Sequence, residues 1–125
     1  MFRLKRSKAD ALFSNYIRLR DEGICQRCKS QNEVKSQGYH CSHFWGRGNK
    51  GTRFDPENAV GLCFKCHQVF GSNPWEHAEF FIKRLGQEKF DALGRRARTP
   101  TKVDESLIVM WCEAEIKKLK EKVLK

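Results

Sequence analysis

Apolar residues along the chain recur at spacings that divide it into helical and extended segments. Over residues 8–22, "KADALFSNYIRLRDE", Leu12, Tyr16 and Leu19 fall on one face, with Phe13 and Ile17 beside them, and Gly23 supplies the stop. Residues 33–45, "EVKSQGYHCSHFW", read as a hairpin, with "SQG" turning the chain and aromatics in the returning strand. The segment 46–53, "GRGNKGTR", reads as a flexible polar loop, and "NAVGLC", 58–63, as a short extended segment. A helix is predicted to start just after it and run to about Phe70. Asn73, Pro74 and Glu76 mark a further helix start, as N-cap, first-turn proline and N3 acid, with Trp75, Ala78, Phe81, Ile82 and Leu85 as its apolar face. Gly86 interrupts it, and "QEKFDAL" adds a short turn or helix. Residues 103–124 are predicted helical, with Leu107, Met110, Trp111 and Ala114 on a stripe that Ile108, Cys112, Ile116, Leu119 and Val123 widen, so this helix must pack on something.

Composition limits the core. At 125 residues, with 39% apolar and 32% charged, the chain suits one small domain that a bound metal would help to stabilise. The longest apolar run, "LIVMWC", has six residues, far below the roughly 18 of a membrane span. The basic start "MFRLKRSKAD" has no apolar stretch behind it, so no secretory signal is expected and the protein is placed in the cytoplasm. There, thiols stay reduced.

Two C-x-x-C pairs, Cys25/Cys28 in "GICQRCKS" and Cys63/Cys66 in "GLCFKCHQ", then read as one zinc site, each pair wrapping a tight turn around the metal. Four thiolates close the coordination shell, so any chemistry lies elsewhere. Cys112 reads as a small core residue, while Cys41 stays ambiguous. The formal charge of +10 becomes about +8 once four thiolates and Zn²⁺ are counted, −4 + 2. Residues 25–53 carry six Lys/Arg against Glu33, and "GRRARTPTK", 94–102, adds Arg95, Arg96, Arg98 and Lys102 with no acid and is linker-like. Such charge suits a nucleic-acid partner, although a merely soluble basic surface explains it too.

Between the cysteine pairs lies "YHCSHFW", then "RFDPEN", and His67 directly follows Cys66. This order resembles the HNH, or ββα-metal, nucleases. With "GTRFDPENAVGLCFKC" and the later "GSN" and "FIKRLGQEKFDAL", it resembles more narrowly the lambdoid-phage NinG/Rap recombination nucleases, without their long N-terminal extension. The resemblance implies an α+β fold in one domain, 1–125. Its parts are an N-terminal helix (1–24), a zinc-stapled ββα-metal core of β-hairpin plus helix (25–73) and C-terminal helices (74–125). It makes His43 the general base, Asn58 the residue that orients the imidazole or braces the loop, and His67 a ligand of a catalytic Mg²⁺, Mn²⁺ or other divalent ion. Most HNH nucleases carry Asp directly before the basic histidine, where this chain has Ser42. His40 stands where NinG/Rap proteins carry their Asp, and His40 and, more weakly, Ser42 are the candidate second ligands. In a regular strand His40 and Ser42 face away from Cys41 and His43, unless a bulge re-aims one of them.

The implied activity is hydrolysis of DNA phosphodiester bonds in branched recombination intermediates such as Holliday junctions and D-loops, by a phage or prophage protein in a bacterial host. Arg47, Lys50, Arg53, Arg95, Arg96 and Arg98 are the candidate DNA contacts. Trp45 is either a base-stacking or a core ring, and His77 fits no motif. The alternative is a zinc-stabilised DNA-binding module without catalysis, favoured by Ser42. A third reading makes the last helix a protein-interaction scaffold, and its apolar stripe leaves open a homodimer suited to a two-fold junction.

Overall fold

The computed structural model describes residues 5–123. Its first helix, α1, spans Lys8–Arg20. Ser7 caps it: the Ser7 hydroxyl accepts from Asp10 N–H, and the Asp10 carboxylate accepts in return from Ser7 N–H, a reciprocal box that satisfies two end donors. Phe13 and Ile17 are fully buried, each contributing about 2 kcal/mol of apolar transfer toward docking the helix. At its far end Arg20 donates to the carbonyls of Pro56 (2.9 Å) and Ala59 (2.8 Å) and pairs with buried Asp21, which itself accepts from Gly61 N–H. Helix and sheet are thus tied by charge-assisted hydrogen bonds as well as packing.

The sheet has two antiparallel strands, β1 (Tyr39–His43) and β2 (Ala59–Cys63), with Tyr39 opposite Cys63 and His43 opposite Ala59. This corrects the expected hairpin over 33–45. Glu33 to Gly38 form turns instead, and β1 finds its partner across a connection that ends in a 3-10 turn, Pro56–Asn58. β2 is the segment read as extended; four of its five residues are buried, and Val60 and Leu62 pack against the helices that follow.

Helix α2 (Phe64–Ser72) begins between Cys63 and Cys66, as its spacing predicts, and α3 (Pro74–Leu85) follows at once. Asn73 joins them without capping α3 through its side chain; its Nδ2 donates back to the Val69 carbonyl. Phe81 is buried between α2, α3 and β2, but Trp75 is 83% exposed and does not belong to the apolar face. Helix α4 covers Gln87–Arg98, extending the short turn or helix expected over "QEKFDAL", so the basic stretch from Gly94 to Arg98 is helical and not a linker. Helix α5 (Glu105–Val123) packs on α1 through Ile108, Cys112 and Ile116, and the Trp111 ring lies 5.1 Å edge-on to Tyr16. Leu107 and Met110, placed on its leading stripe, face solvent.

Two clusters make the core. One gathers Cys25, Val60, Leu62, Cys66, Phe70 and Phe81 on one side of the sheet; the other gathers Phe13, Ile17, Ala59 and Cys112 under α1 and α5. Among the described residues no helix is long and apolar enough to cross a membrane.

Candidate functional site

The four paired cysteines converge. Their sulfurs all lie within 4.8 Å of one another, and Cys28 Sγ is 3.8 Å from Cys63 Sγ. A tetrahedron built on about 2.3 Å Zn–S bonds has edges of about 3.8 Å, so this cage can hold one zinc ion. Local chain geometry makes it. The first pair sits on a tight turn closed by Lys29 N–H to the Cys25 carbonyl (2.8 Å), and the second on the first turn of α2. Ser30 Oγ lies 3.2 Å from Cys28 Sγ, and its hydrogen bonds pull that thiol well below the usual range. Burial pushes Cys66 up, against Arg27, whose Nη1 donates to the Cys66 sulfur at 3.4 Å. Arg27 in turn is held by Glu76 on α3 (2.7 Å), which links the cage to that helix.

Three histidines line a groove of about 470 Å³ that opens along the edge of β1 without a neighbouring strand. The strand is regularly paired, so His40 shares a face with Ser42 and His43 shares the other with Cys41. Both faces meet the groove because it wraps the strand edge; no bulge is needed. His40 Nε2 is 2.8 Å from the Gln37 carbonyl, which only accepts, so that nitrogen carries the proton and Nδ1 is the lone pair of the neutral ring. This Nδ1 lies 2.7 Å from Nδ1 of His67 on α2. Anchoring one ring nitrogen on a backbone carbonyl is how metal-ligating histidines are held, and here the free His40 Nδ1 accepts from His67 Nδ1–H. If that proton moved to His67 Nε2, the two Nδ1 atoms could both face one divalent ion. No carboxylate joins them: among the described residues the four cysteines are the sole group of three or more potential ligands close enough for one metal. Burial, and then the neighbouring His40, push the pKa of His67 down, which keeps it neutral.

His43 is held apart from that pair. Its Nε2 donates to the Arg53 carbonyl at 3.0 Å, leaving Nδ1 as the basic nitrogen, and its ring sits 5.6 Å from Phe13. Burial pushes its pKa below the ordinary value, so the ring stays neutral and able to take a proton. Asn58 does not bond to His43. It is fully buried, accepting from Trp45 N–H (2.8 Å) and donating to the carbonyls of Trp45 (2.9 Å) and Thr52 (3.0 Å). Asn58 thus staples the 45–52 loop to the start of β2. That loop is neither flexible nor wholly polar: Thr52 is buried, and a Cβ on Gly51 would strike the Arg96 carbonyl oxygen of α4. Ser42 is buried on the Val60 side and does not line the groove, which removes it as a ligand there.

Several of the expected DNA contacts hold the frame together instead. Arg53 makes a bidentate pair with Asp10 of α1, its Nε at 3.0 Å. Burial works to raise the Asp10 pKa, but hydrogen bonds from Arg53 and Ser7 outweigh it and hold the carboxyl at about 2. Arg96 is tied to Asp55 (2.8 Å) and Glu57 (3.0 Å), fixing α4 against the turn before Asn58. Arg47 lines the histidine groove and also approaches Asp10 at 3.4 Å. Lys50 lines a different cleft, beside Lys102, while Arg95 and Arg98 are exposed on α4 with no ion pair among the described residues. The groove takes most of its positive charge from residues not expected there, namely Arg6 and Arg18 flanking and on α1 and Lys35 in the turn before β1. Their spacing shows one usable signal, since positions 6, 10, 14 and 18 recur every four residues along the α1 stripe.

The remaining histidine, His77, is structural. It stacks on Phe70 (4.8 Å) and meets Phe44 and Phe81 edge-on, and its Nε2 is buried without a partner. Burial pushes its pKa down to about 4. Trp45 is likewise a packing ring, edge-on to Phe44.

Neither a curated protein nor a solved structure matches the chain. The family model described as the bacteriophage lambda NinG protein matches residues 4–123, nearly all of the sequence, and the chain belongs to the NinG family.

Proposed function

We propose that this NinG-family protein is a metal-dependent DNA endonuclease of the HNH type, acting on branched recombination intermediates such as Holliday junctions and D-loops. The observation that carries the reading is the division of labour in the groove, where a neutral His43 stands beside the separate His40–His67 pair. His43 Nδ1 takes a proton from a water molecule, and the water oxygen attacks the phosphorus of a backbone linkage. The bond to the 3′ oxygen breaks, leaving a 5′-phosphate on one strand end and a 3′-hydroxyl, reprotonated from solvent, on the other. The Arg53 carbonyl keeps the proton of His43 on Nε2 throughout, so Nδ1 is always the acceptor. His40 and His67 would hold a divalent ion, which when bound would supply positive charge for the crowded phosphate and the departing oxygen. Two imidazoles without a carboxylate favour a transition ion, Ni²⁺ or Co²⁺ ahead of Mn²⁺ and Mn²⁺ ahead of Mg²⁺. The Gln37 carbonyl orients His40 for this role. Backbone and shape recognition suits a basic groove with no base-reading helix in it.

The test is cleavage of a labelled four-way junction, a D-loop and a linear duplex by zinc-loaded protein across that ion series. His43→Ala is expected to lower the rate at least ~100-fold with binding retained. Wild-type protein that cleaves none of these with any ion, or His43→Ala that cleaves equally well, contradicts the proposal. Among the described residues no carboxylate joins His40 and His67, which favours a second reading, a zinc-stabilised DNA-binding module without catalysis. It predicts salt-sensitive binding with no nicking, unchanged in His43→Ala and His67→Ala.

A further inference from the structure

The cations that sequence reasoning nominated for DNA are largely tied up inside the fold or lie outside the groove, so the path of a bound strand has to be found from other residues. One stripe answers to it. Arg6, Asp10, Ser14 and Arg18 follow one another at intervals of four and all line the histidine groove. On a helix this spacing stacks side chains along the axis, and Asp10 to Arg18 covers about 12 Å, the rise of three to four nucleotides.

The acid in the stripe is already matched. Asp10 accepts from Arg53 and lies near Arg47, so it adds little negative potential to the groove. Among the described residues that line the groove it is also the sole acid, beside four cations, Arg6, Arg18, Lys35 and Arg47. Arg18 Nε donates to the Ser14 carbonyl at 3.3 Å, which lays its guanidinium along the helix and leaves both Nη groups without a protein partner among the described residues. Arg6 and Lys35 are exposed. Lys35 stands in the turn that leads into β1, with Gln37 and Ser36 beside it in the lining. Cations at both ends of a wall and a cation from a separate segment match a polyanion laid lengthwise, not a small ligand held at a point.

We infer that the groove face of α1, up to Arg18, together with Arg6 just before the helix, is the wall that receives the phosphate backbone of the DNA, with Lys35 contacting it from the turn before β1. The inference rests on the nuclease or DNA-binding reading of the groove and adds the surface that delivers the strand to it. Positive charge on α4 is then secondary, since Arg96 is internally paired and neither Arg95 nor Arg98 lines the groove.

Fluorescence anisotropy of a labelled four-way DNA junction, titrated with zinc-loaded protein over a salt series, tests this. The Arg6→Ala/Arg18→Ala double variant is expected to bind at least ~10-fold more weakly and to lose about 2 from the slope of log K against log salt, one for each phosphate contact removed. Lys35→Ala should lose about 1 from that slope. Arg95→Ala/Arg98→Ala should stay within about twofold of wild type. Melting curves show whether each variant folds; Arg6→Glu alone, before the helix begins, repeats the test if the double variant is unstable. Wild-type binding with an unaltered Arg6→Glu, or with the loss confined to the α4 variant, overturns the inference and leaves the function intact. A wild type that binds no DNA overturns the function and the inference together. Tighter binding to an RNA duplex of the same length overturns the assignment to DNA.

Discussion

The sulfur cage and the histidine groove meet on the first turn of α2, where Cys66 and His67 are neighbours, yet they are built in opposite ways. The cage is two copies of one local device, a C-x-x-C turn, and needs from the fold only that the two turns meet. The groove draws His40 and His43 from both faces of β1, His67 from α2 and a wall from α1; the Gln37 carbonyl aims His40, the Arg53 carbonyl aims His43, and His67 meets the His40 ring. Repetition makes the cage robust and closed. Heterogeneity makes the groove open, partly polar and able to present different groups to one ligand, which is what binding and catalysis require.

The largest effect expected from this contrast is in the cage. Cys66→Ser, or stripping zinc from wild type with a chelator, should abolish the cooperative melt, because structural zinc supplies about 10–16 kcal/mol where a small domain has about 5–15 in total. His40→Ala/His67→Ala should instead keep zinc and melt within about 1 kcal/mol of wild type. Elemental analysis and circular dichroism read both. A zinc-free wild type that melts normally would erase the distinction between the two regions.

A smaller effect should show how far the groove depends on distant residues. Asp10→Ala leaves Arg53 buried without its carboxylate and should cost about 3–5 kcal/mol in urea titrations. The sign with pH follows from the depressed carboxyl. Asp10 is held at about 2 against an ordinary 3.8, so its share of stability, about 2 kcal/mol, is complete above that ordinary value and is lost as pH falls toward 2. Wild type should therefore lose about 2 kcal/mol of its advantage over Asp10→Ala across that window.

The smallest effect concerns His77, which lies between the two regions among Phe44, Phe70 and Phe81. Its pKa is lowered from 6.5 to about 4, so the neutral ring supports the fold fully above 6.5 and the support fades as pH falls to 4. His77→Phe removes that liability. Its stability relative to wild type should rise by about 1–2 kcal/mol between pH 7 and pH 4, allowing for partial exposure. A constant difference across that range would mean the imidazole is not desolvated as the packing requires.

The cage, the start of α2 inside it and the position of His67 were legible because each is set by residues within a few positions of one another. The strand pairing was not. "SQG" offers a plausible turn, but β1 gains more by joining buried β2, where Val60 and Leu62 face the core, than by folding back on the polar 33–38 segment. The fates of Arg53 and Arg96 were hidden for a related reason. Their partners, Asp10 and Asp55, are 43 and 41 positions away, and nothing local separates a frame-holding arginine from a solvent-facing one. In α5 both apolar stripes looked equally fit for burial, and only the position of α1 selects Ile108, Cys112 and Ile116 over Leu107 and Met110.

The central claim is that a second, exchangeable cation belongs to His40 and His67, outside the sulfur cage and beside His43. Anomalous diffraction from zinc-loaded crystals soaked in Mn²⁺ or Ni²⁺, collected on both sides of the soaked metal's edge, measures it directly. The account predicts a peak within about 2.1 Å of both Nδ1 atoms that the cage does not share, with His43 facing it across the groove. A soaked ion found solely among the four sulfurs, with the two imidazoles still hydrogen-bonded to each other, would contradict it.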